Sequence, residues 1–336
     1  MDLSSEDALR LNVLLANRPQ AIRIDESSMT LYGLSEKGEA KVTLNPNCRH
    51  DHYLRKVREV LSGHVLGSPG GYPIYLKRWS RMGQTRDENL EHLLLLGEPE
   101  AVVAVTCASG LSDELARRAW WTSQDPDNAR RMLNIAAIVE GSMGPELARF
   151  LIEYLPFETE PQLMIENLRL ALQPGLISEE ERGDLWKRCQ RKPSYYLGFL
   201  ASRPDDLPLE RPAKVLSFLA TVMKVMEKPA NQDVVTQLLD VIRDYLAPLR
   251  PEGDPDLTLE GLEQQADSAE QPALRACIEA LPSRDGELRS LYLLSGLGYG
   301  VVRPVFSKTD AIGSLMRKKL EPVFAPLRSR LESLLG

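Results

Sequence analysis

Three of the chain's four histidines and one of its four cysteines lie in residues 45–64, the segment NPNCRHDHYLRKVREVLSGH. Cysteine and histidine are common zinc ligands, although zinc sites normally show recognisable C-x2-4-C and H-x3-5-H pairs. Here the pattern is a compact C-x-H-x-H, and on a helix His64 would stand about 18 Å from His52 at 1.5 Å per residue. One ion cannot bind both, so a site would need a ligand from outside the segment. The candidate metal ligands are Cys48, His50, His52 and His92.

Cys48 also has the sequence surroundings of a reactive thiol. It stands just before an expected helix N-terminus, with Arg49 and two histidines close by. A helix N-terminus and neighbouring cations favour the thiolate form of a cysteine. Such a side chain could accept sulfur and hand it on. The alternative is structural, because the flanking asparagines, proline and aspartate are turn and cap residues, and a free cysteine is commonly just buried.

A basic segment, YLKRWSRMGQTR, begins at Tyr75, eleven residues after His64, and is the candidate binding site. Basic residues interleaved with an aromatic can hold phosphates or stack on bases. In a chain of net charge −7, one such patch is more often a solvated face or an inter-domain contact. RNA or DNA therefore stays open as a partner. The segment places Lys77, Arg78, Arg81 and Arg86 around Trp79.

Two glycine-rich segments do not match nucleotide-binding fingerprints. GSPGG at residues 67–71 lacks the GxxxxGK[ST] pattern, and GLGYG at residues 296–300 misses GxGxxG. All histidines lie between residues 50 and 92, so a general base elsewhere would have to be another residue type. We therefore predict a non-enzymatic protein without a cofactor, and Cys48 is the remaining catalytic candidate.

The Cys/His segment would be positioned by a small α+β domain, residues 1–84. A helix from Asp7 to Ala16 carries an apolar stripe of Leu9, Val13 and Leu14. Three short runs rich in β-branched residues follow, AIRID, MTLYGL and AKVTL. The turn residues of DESS and SEKGE separate them, which predicts a three-stranded antiparallel meander. A second helix is predicted from Asp51 to Ser62, with Gly63 as its C-terminal stop.

From residue 85 onward the pattern is helical. The stretch Ser112–Leu133 aligns with Ser178–Leu200 after one inserted residue, and matching positions include Trp120 with Trp186. The offset is about two helix-pair repeats of the HEAT or TPR kind. We therefore predict a mainly α fold: an α-solenoid-like array over residues 85–282, capped by C-terminal helices over 283–336. An irregular helical domain is the alternative.

The amino-acid composition indicates the general class of the protein. Hydrophobic residues make up 43% and charged residues 26% of 336, which is ordinary for a globular protein that forms more than one domain. The sequence shows no signal-peptide pattern and no apolar run of about 18 residues, so no membrane insertion is predicted. The cysteines, at 48, 107, 189 and 277, are scattered in the manner of reduced thiols, which predicts a cytoplasmic location.

Four segments between residues 6 and 121 carry a likeness to a known family. They are EDALRLNVLLANRPQAIRID, SGHVLGSPGGYPIYLKRW, LLLLGEPEAVVAV and DELARRAWW. They resemble the DsrS family, soluble proteins associated with the dissimilatory sulfur-oxidation gene clusters of phototrophic and chemotrophic sulfur bacteria. The resemblance implies a cytoplasmic accessory or regulatory part in sulfur oxidation through reverse dissimilatory sulfite reductase. It supplies no catalytic residues.

The leading functional prediction is a non-catalytic interaction protein that supports the sulfur-oxidation machinery and binds one of its proteins. A helical array offers a long concave surface suited to such a partner. The first alternative is thiol or persulfide sulfur transfer at Cys48. The second is an RNA- or DNA-binding regulator that uses the basic segment from Lys77 to Arg86.

Overall fold

A computed structural model describes residues 3–66, 90–209, 213–250, 256–268 and 285–336. Across those residues the chain forms 17 α-helices and one three-stranded sheet that precedes most of them. The predicted fold class, mainly α with a short antiparallel meander near the N-terminus, is confirmed. The stacking of the helices as HEAT- or TPR-type repeats stays a prediction.

The chain separates into two compact units, Met1–Phe150 and Leu151–Gly336. The boundaries predicted from sequence, at residues 84 and 282, both fall outside the described residues. The three-part division therefore remains a prediction.

The first unit begins with a helix, three strands and a second helix. The strands pair antiparallel in the order β1-β2-β3, with Arg23, Tyr32 and Lys41 side by side across the sheet. A two-residue turn joins β2 to β3 and ends at Gly38, whose φ of +111° suits glycine. The three predicted strands are thus confirmed. These elements are α1 (Ser5–Ala16), β1 (Ala21–Asp25), β2 (Thr30–Ser35), β3 (Gly38–Thr43) and α2 (His50–Leu66).

The two helices and the sheet enclose the core of this part of the unit. Gly33 lets α1 lie close to β2, because a Cβ there would stand 2.9 Å from Cδ1 of Leu14. The predicted apolar stripe of α1 is partly wrong: Leu14 is buried, but Leu9 and Val13 face solvent. The buried core residues are Leu11, Leu14, Leu15, Ile22, Met29, Leu31, Leu44, Tyr53, Leu54, Val57 and Leu61.

Helix α2 begins at His50 and runs to Leu66, so Gly63 does not end it as the sequence suggested. Val57 and Leu61 are fully buried and fix the helix on the core up to its last turns. Burying a large aliphatic side chain contributes about 1.5–3 kcal/mol. That exceeds the cost of about 1 kcal/mol for one glycine inside a helix.

Six further helices of the first unit lie in its described residues, and the last of them runs past Phe150. Between the first two, the carbonyl oxygen of Leu94 accepts a hydrogen bond of 2.8 Å from the N–H of Ile22, which covers the outer edge of β1. These helices are α3 (Leu90–Leu93), α4 (Pro99–Thr106), α5 (Asp113–Thr122), α6 (Pro126–Leu133), α7 (Ala136–Val139) and α8 (Met143–Tyr154).

The described helices of the second unit share a large apolar core. Trp186 packs edge-on against Tyr196 and Phe199. The distance from the ring centroid of Trp186 to the ring centroid of each partner is 5.0 Å. Its described helices are α9 (Pro161–Ala171), α10 (Glu179–Cys189), α11 (Ser194–Ser202), α12 (Lys214–Glu227), α13 (Gln232–Leu246), α14 (Leu259–Ser268), α15 (Asp285–Leu294), α16 (Tyr299–Phe306) and α17 (Gly313–Leu335).

The two aligned sequence segments form corresponding helix pairs. Ser112 caps α5 through the N–H of Leu115, and Ser178 caps α10 through the N–H of Glu181, whose side chain completes a capping box. Each capped helix is followed by a second one. The two serines therefore occupy equivalent positions, each at the start of a helix pair.

The glycines of GLGYG allow neighbouring chain segments to pack closely against this stretch. A Cβ at Gly296 would overlap the guanidinium of Arg250, and one at Gly300 would overlap the backbone of Asp256 and Leu257. Helix α16 starts between these close approaches, at Tyr299. The segment is glycine-rich because neighbouring chain segments pass too close for a side chain.

Candidate functional site

Cys48 lies in the loop between β3 and α2. Its side chain is half-buried and packs against the core of the first unit. Its thiol donates a hydrogen bond of 3.7 Å to the carbonyl oxygen of Arg49. His50 and His52, on the first turn of α2, are exposed. The loop thus directs the sulfur toward the core and the two imidazoles toward solvent.

The four candidate metal ligands, Cys48, His50, His52 and His92, all belong to the described residues. Within the ranges that the structure describes, no three His, Cys, Asp or Glu side chains form a group able to hold a metal ion. The geometry therefore brings together no metal-binding set from these four residues.

The other described cysteines differ strongly in exposure. Cys107 is exposed at the C-terminal end of α4, whereas Cys189 is fully buried at the end of α10. Burial raises the pKa of the Cys189 thiol to about 12, so this thiol stays protonated at neutral pH. Cys48 is intermediate in exposure between the two.

The predicted binding residues Lys77, Arg78, Trp79 and Arg81 lie outside the described residues, as does Arg86. Their part in nucleic-acid recognition remains a prediction from sequence.

A buried carboxylate holds the loop that carries Cys48. Asp7, on the first turn of α1, is fully buried, and its Oδ2 accepts hydrogen bonds from the hydroxyl of Tyr53 and from the N–H of Asn45 at 2.8 Å. Its Oδ1 lies 3.6 Å from a guanidinium nitrogen of Arg10. Burial, and then the bond to Asp7, raises the pKa of Tyr53. One side chain thereby joins α1, the loop and α2.

Sequence reasoning missed this junction, although a signal was present. Ser4 and Asp7 form an S-x-x-D pattern at a helix start, and the Ser4 hydroxyl accepts from the N–H of Asp7 at 3.2 Å. The pattern marks the cap. It does not reveal that the aspartate is buried under Tyr53, which follows 46 residues later.

Both units expose large apolar side chains. In the first unit Leu9 is 65% and Val13 56% exposed; in the second Phe157 is 75%, Ile312 70% and Leu315 56% exposed. Isolated exposed apolar residues are common on proteins, whereas neighbouring ones often mark an interaction site. Two pairs are neighbours in sequence and on one helix: Leu9 with Val13, and Ile312 with Leu315.

The pair on α1 borders an open groove of about 280 Å³ in the first unit. That volume lies below the ordinary range of about 300–1,000 Å³ for small-molecule sites, and the groove is open rather than enclosed. Its walls are apolar for the most part. The lining residues are Leu9, Arg10, Val13, Leu14 and Asn17 of α1 and Ala40, Lys41 and Val42 of β3.

The pair at the start of α17 adjoins a basic cluster in the second unit. Ile312 occupies the N-cap position and Leu315 lies on the first turn, while Met316 and Leu320 face the core and are buried. Lys318 and Lys319 follow Leu315 at the i+3 and i+4 positions, where side chains share a helix face. Ile312, Leu315, Lys318 and Lys319 are called the α17 patch below.

Among the described residues, no helix combines the length and the hydrophobicity that crossing a bilayer requires. Comparisons with protein-family models, with curated proteins and with solved structures gave no match for this chain.

Proposed function

We propose that the protein is a non-catalytic accessory protein of dissimilatory sulfur oxidation, acting in the cytoplasm by binding a protein of that machinery. The sulfur context rests on the resemblance of four segments to the DsrS family. The mode of action rests on the α17 patch. This patch combines the two properties that protein-binding surfaces combine, exposed apolar side chains and adjacent charge.

The apolar part of the α17 patch is large enough to matter for affinity. Ile312 is 70% and Leu315 56% exposed, so a partner could cover most of each side chain. Full burial of such a side chain contributes about 1.5–3 kcal/mol. Two adjacent side chains of this kind form the centre of the proposed interface.

The charged part of the patch selects the partner. Lys319 donates to the hydroxyl of Thr309 at 2.7 Å, and Arg317 donates to the carbonyl of Pro229 at 3.4 Å. Lys318 is exposed on the same turn. A cationic rim around an apolar centre favours an acidic protein surface and repels a basic one.

Affinity capture tests the proposal. The full-length protein is immobilised and exposed to an extract of sulfur-grown cells, and the captured proteins are identified by mass spectrometry. We expect subunits of reverse dissimilatory sulfite reductase or another protein of the sulfur-oxidation clusters, lost when Ile312→Ser and Leu315→Ser are combined. The matched control is Phe157→Ser, which removes an equally exposed apolar side chain of the same unit. Capture of none of these proteins would refute the proposal.

A further inference from the structure

The two outer edges of the sheet are treated differently. The edge of β1 is covered by the chain around Leu94, which accepts a hydrogen bond from Ile22. Strand β3 ends the sheet on the other side, and every residue of it except Val42 is exposed. Exposed strand edges pair readily with a further strand, so proteins usually cover or block them. The described part of the chain leaves this edge open from Gly38 to Val42, and only the carbonyl of Thr43 is bound, by Arg10.

The direction of the backbone groups on β3 follows from its pairing. The N–H of Leu44 donates to the carbonyl of Met29 at 2.8 Å, which continues the ladder between β2 and β3. Because the groups alternate in an antiparallel ladder, residues 38, 40 and 42 point toward β2 and residues 39, 41 and 43 point away. The carbonyl of Thr43 already accepts from Arg10 at 3.1 Å. Glu39 and Lys41 therefore present their backbone groups to the open edge.

We propose that this edge binds a second copy of the same chain. Two β3 strands would pair antiparallel about a two-fold axis at Ala40, joining two three-stranded sheets into one. In this register Glu39 lies opposite the partner's Lys41, and Lys41 opposite the partner's Glu39. Each such pair exchanges two backbone hydrogen bonds. The small side chain of Ala40 suits the close approach on the axis.

The charges of Glu39 and Lys41 favour this register over one that is shifted by two residues. Opposite charges directly across a strand pair are favourable, and like charges are unfavourable. A shift by two residues would set Lys41 against the partner's Lys41 and would require the Thr43 carbonyl, which Arg10 occupies. The carboxylate of Glu39 is also held in place, since its Oε2 accepts from Trp121 at 3.1 Å and lies 3.5 Å from Arg23.

The groove beside β3 adds an apolar contact to the same interface. The two-fold axis of an antiparallel strand pair is perpendicular to the sheet, so both α1 helices would lie on the same face of the joined sheet. Leu9 and Val13, which border the groove of each copy, would then meet across the axis. In such a dimer this contact would cover the two side chains, which are 65% and 56% exposed in the single chain.

A charge-swap experiment on the full-length protein tests the proposal. Sedimentation equilibrium should show a dimer of the 37.6 kDa chain at micromolar concentration. Lys41→Glu should weaken dimerisation by about tenfold, because both symmetric pairs become like-charged. Glu39→Lys should act alike. A mixture of the two variants should restore association, since only the heterodimer regains opposite charges at both pairs.

The matched control is Lys37→Glu, which makes the same charge change in the β2–β3 turn and should leave the dimer unaltered. A wild-type protein that stays monomeric would overturn the proposal, whether another part of the chain or a different partner covers the edge. Equal dimerisation by all variants would do so as well. Failure of the mixture to associate would overturn the register.

Discussion

The hydroxyl of Tyr53 donates a hydrogen bond to Oδ2 of Asp7, and both side chains are buried between α1 and α2. The same carboxylate holds the N–H of Asn45, so the loop that carries Cys48 is tied to both helices at once. A buried carboxylate depends on its donors, because an unsatisfied charged group loses its hydration without compensation.

Tyr53→Phe should therefore destabilise the first unit by about 1–3 kcal/mol, the usual cost of leaving a buried polar group unpaired. Denaturant unfolding followed by circular dichroism measures the change. The matched control is Tyr299→Phe, which removes a hydroxyl from a side chain that is 44% exposed and should change stability little. Equal effects of the two substitutions would show that the Asp7 junction contributes nothing.

A second carboxylate fixes the start of α8. Asp113 accepts hydrogen bonds from the N–H groups of Ser142 and Met143, both at 3.0 Å, and from the Ser142 hydroxyl at 2.6 Å. Burial acts to raise the pKa of Asp113, but these hydrogen bonds outweigh it and hold the pKa below its ordinary value of 3.8. Asp113→Asn should cost about 0.5–2 kcal/mol at neutral pH, as loss of a helix cap does.

The sign of the pH dependence follows from the lowered pKa. The contribution of ionised Asp113 is complete above the unfolded-state pKa and is lost as the pH falls through the lower folded-state pKa. The stability difference between wild type and Asp113→Asn should therefore be constant near neutrality and shrink below about pH 4. Urea unfolding at a series of pH values checks it. A difference that grows on acidification would contradict the hydrogen-bond geometry.

The three described cysteines should react in the order of their exposure. In a Cys277→Ser background, iodoacetamide should label Cys107 first, Cys48 more slowly, and Cys189 only after unfolding. A thiol reacts when it is accessible to the reagent and ionised to the thiolate. Cys189 is buried, and its pKa is raised to about 12, so it is neither accessible nor ionised at neutral pH. Mass spectrometry of timed samples gives the order. Labelling of Cys48 well ahead of Cys107 would revive sulfur transfer as the function.

Two glycines of the second unit should respond to alanine with opposite signs. Gly300→Ala would drive a Cβ into the backbone of Asp256 and Leu257 and should destabilise by about 1–3 kcal/mol, as overpacking does. Gly183→Ala, inside α10 with no atom within 4 Å of the new Cβ, should stabilise by about 0.5–1 kcal/mol. Thermal unfolding of both variants is the measurement. A neutral Gly300→Ala would mean that the segments can separate freely.

The sequence predicts the helices and strands of this protein better than it predicts which face of a helix is buried. The strands were found because turn residues separate β-branched runs, which is a local property. The buried face of α1 was partly missed, since the spacing of Leu9, Val13 and Leu14 is as regular as that of Leu11, Leu14 and Leu15. Leu14, which lies against Gly33, belongs to both stripes, so only the tertiary packing that buries Leu11 and Leu15 and leaves Leu9 and Val13 exposed distinguishes them.

The candidate site shows the same limit. Cys48 and its histidines stand out by residue type, yet the structure turns the sulfur and the imidazoles in different directions. The α17 patch does not stand out in sequence, because Ile312 and Leu315 have the residue types of a core. Their exposure follows from Met316 and Leu320 taking the buried side of α17, which depends on distant packing.

The proposal that this protein acts by offering a surface, and not by thiol chemistry, is tested most directly by one titration. Purified reverse dissimilatory sulfite reductase is titrated into wild type, Cys48→Ser and the combined Ile312→Ser and Leu315→Ser variant, and the three dissociation constants are compared. We predict that Cys48→Ser binds as wild type does and that the α17 variant binds at least about tenfold more weakly. Loss of binding with Cys48→Ser, or an unaltered α17 variant, would contradict it.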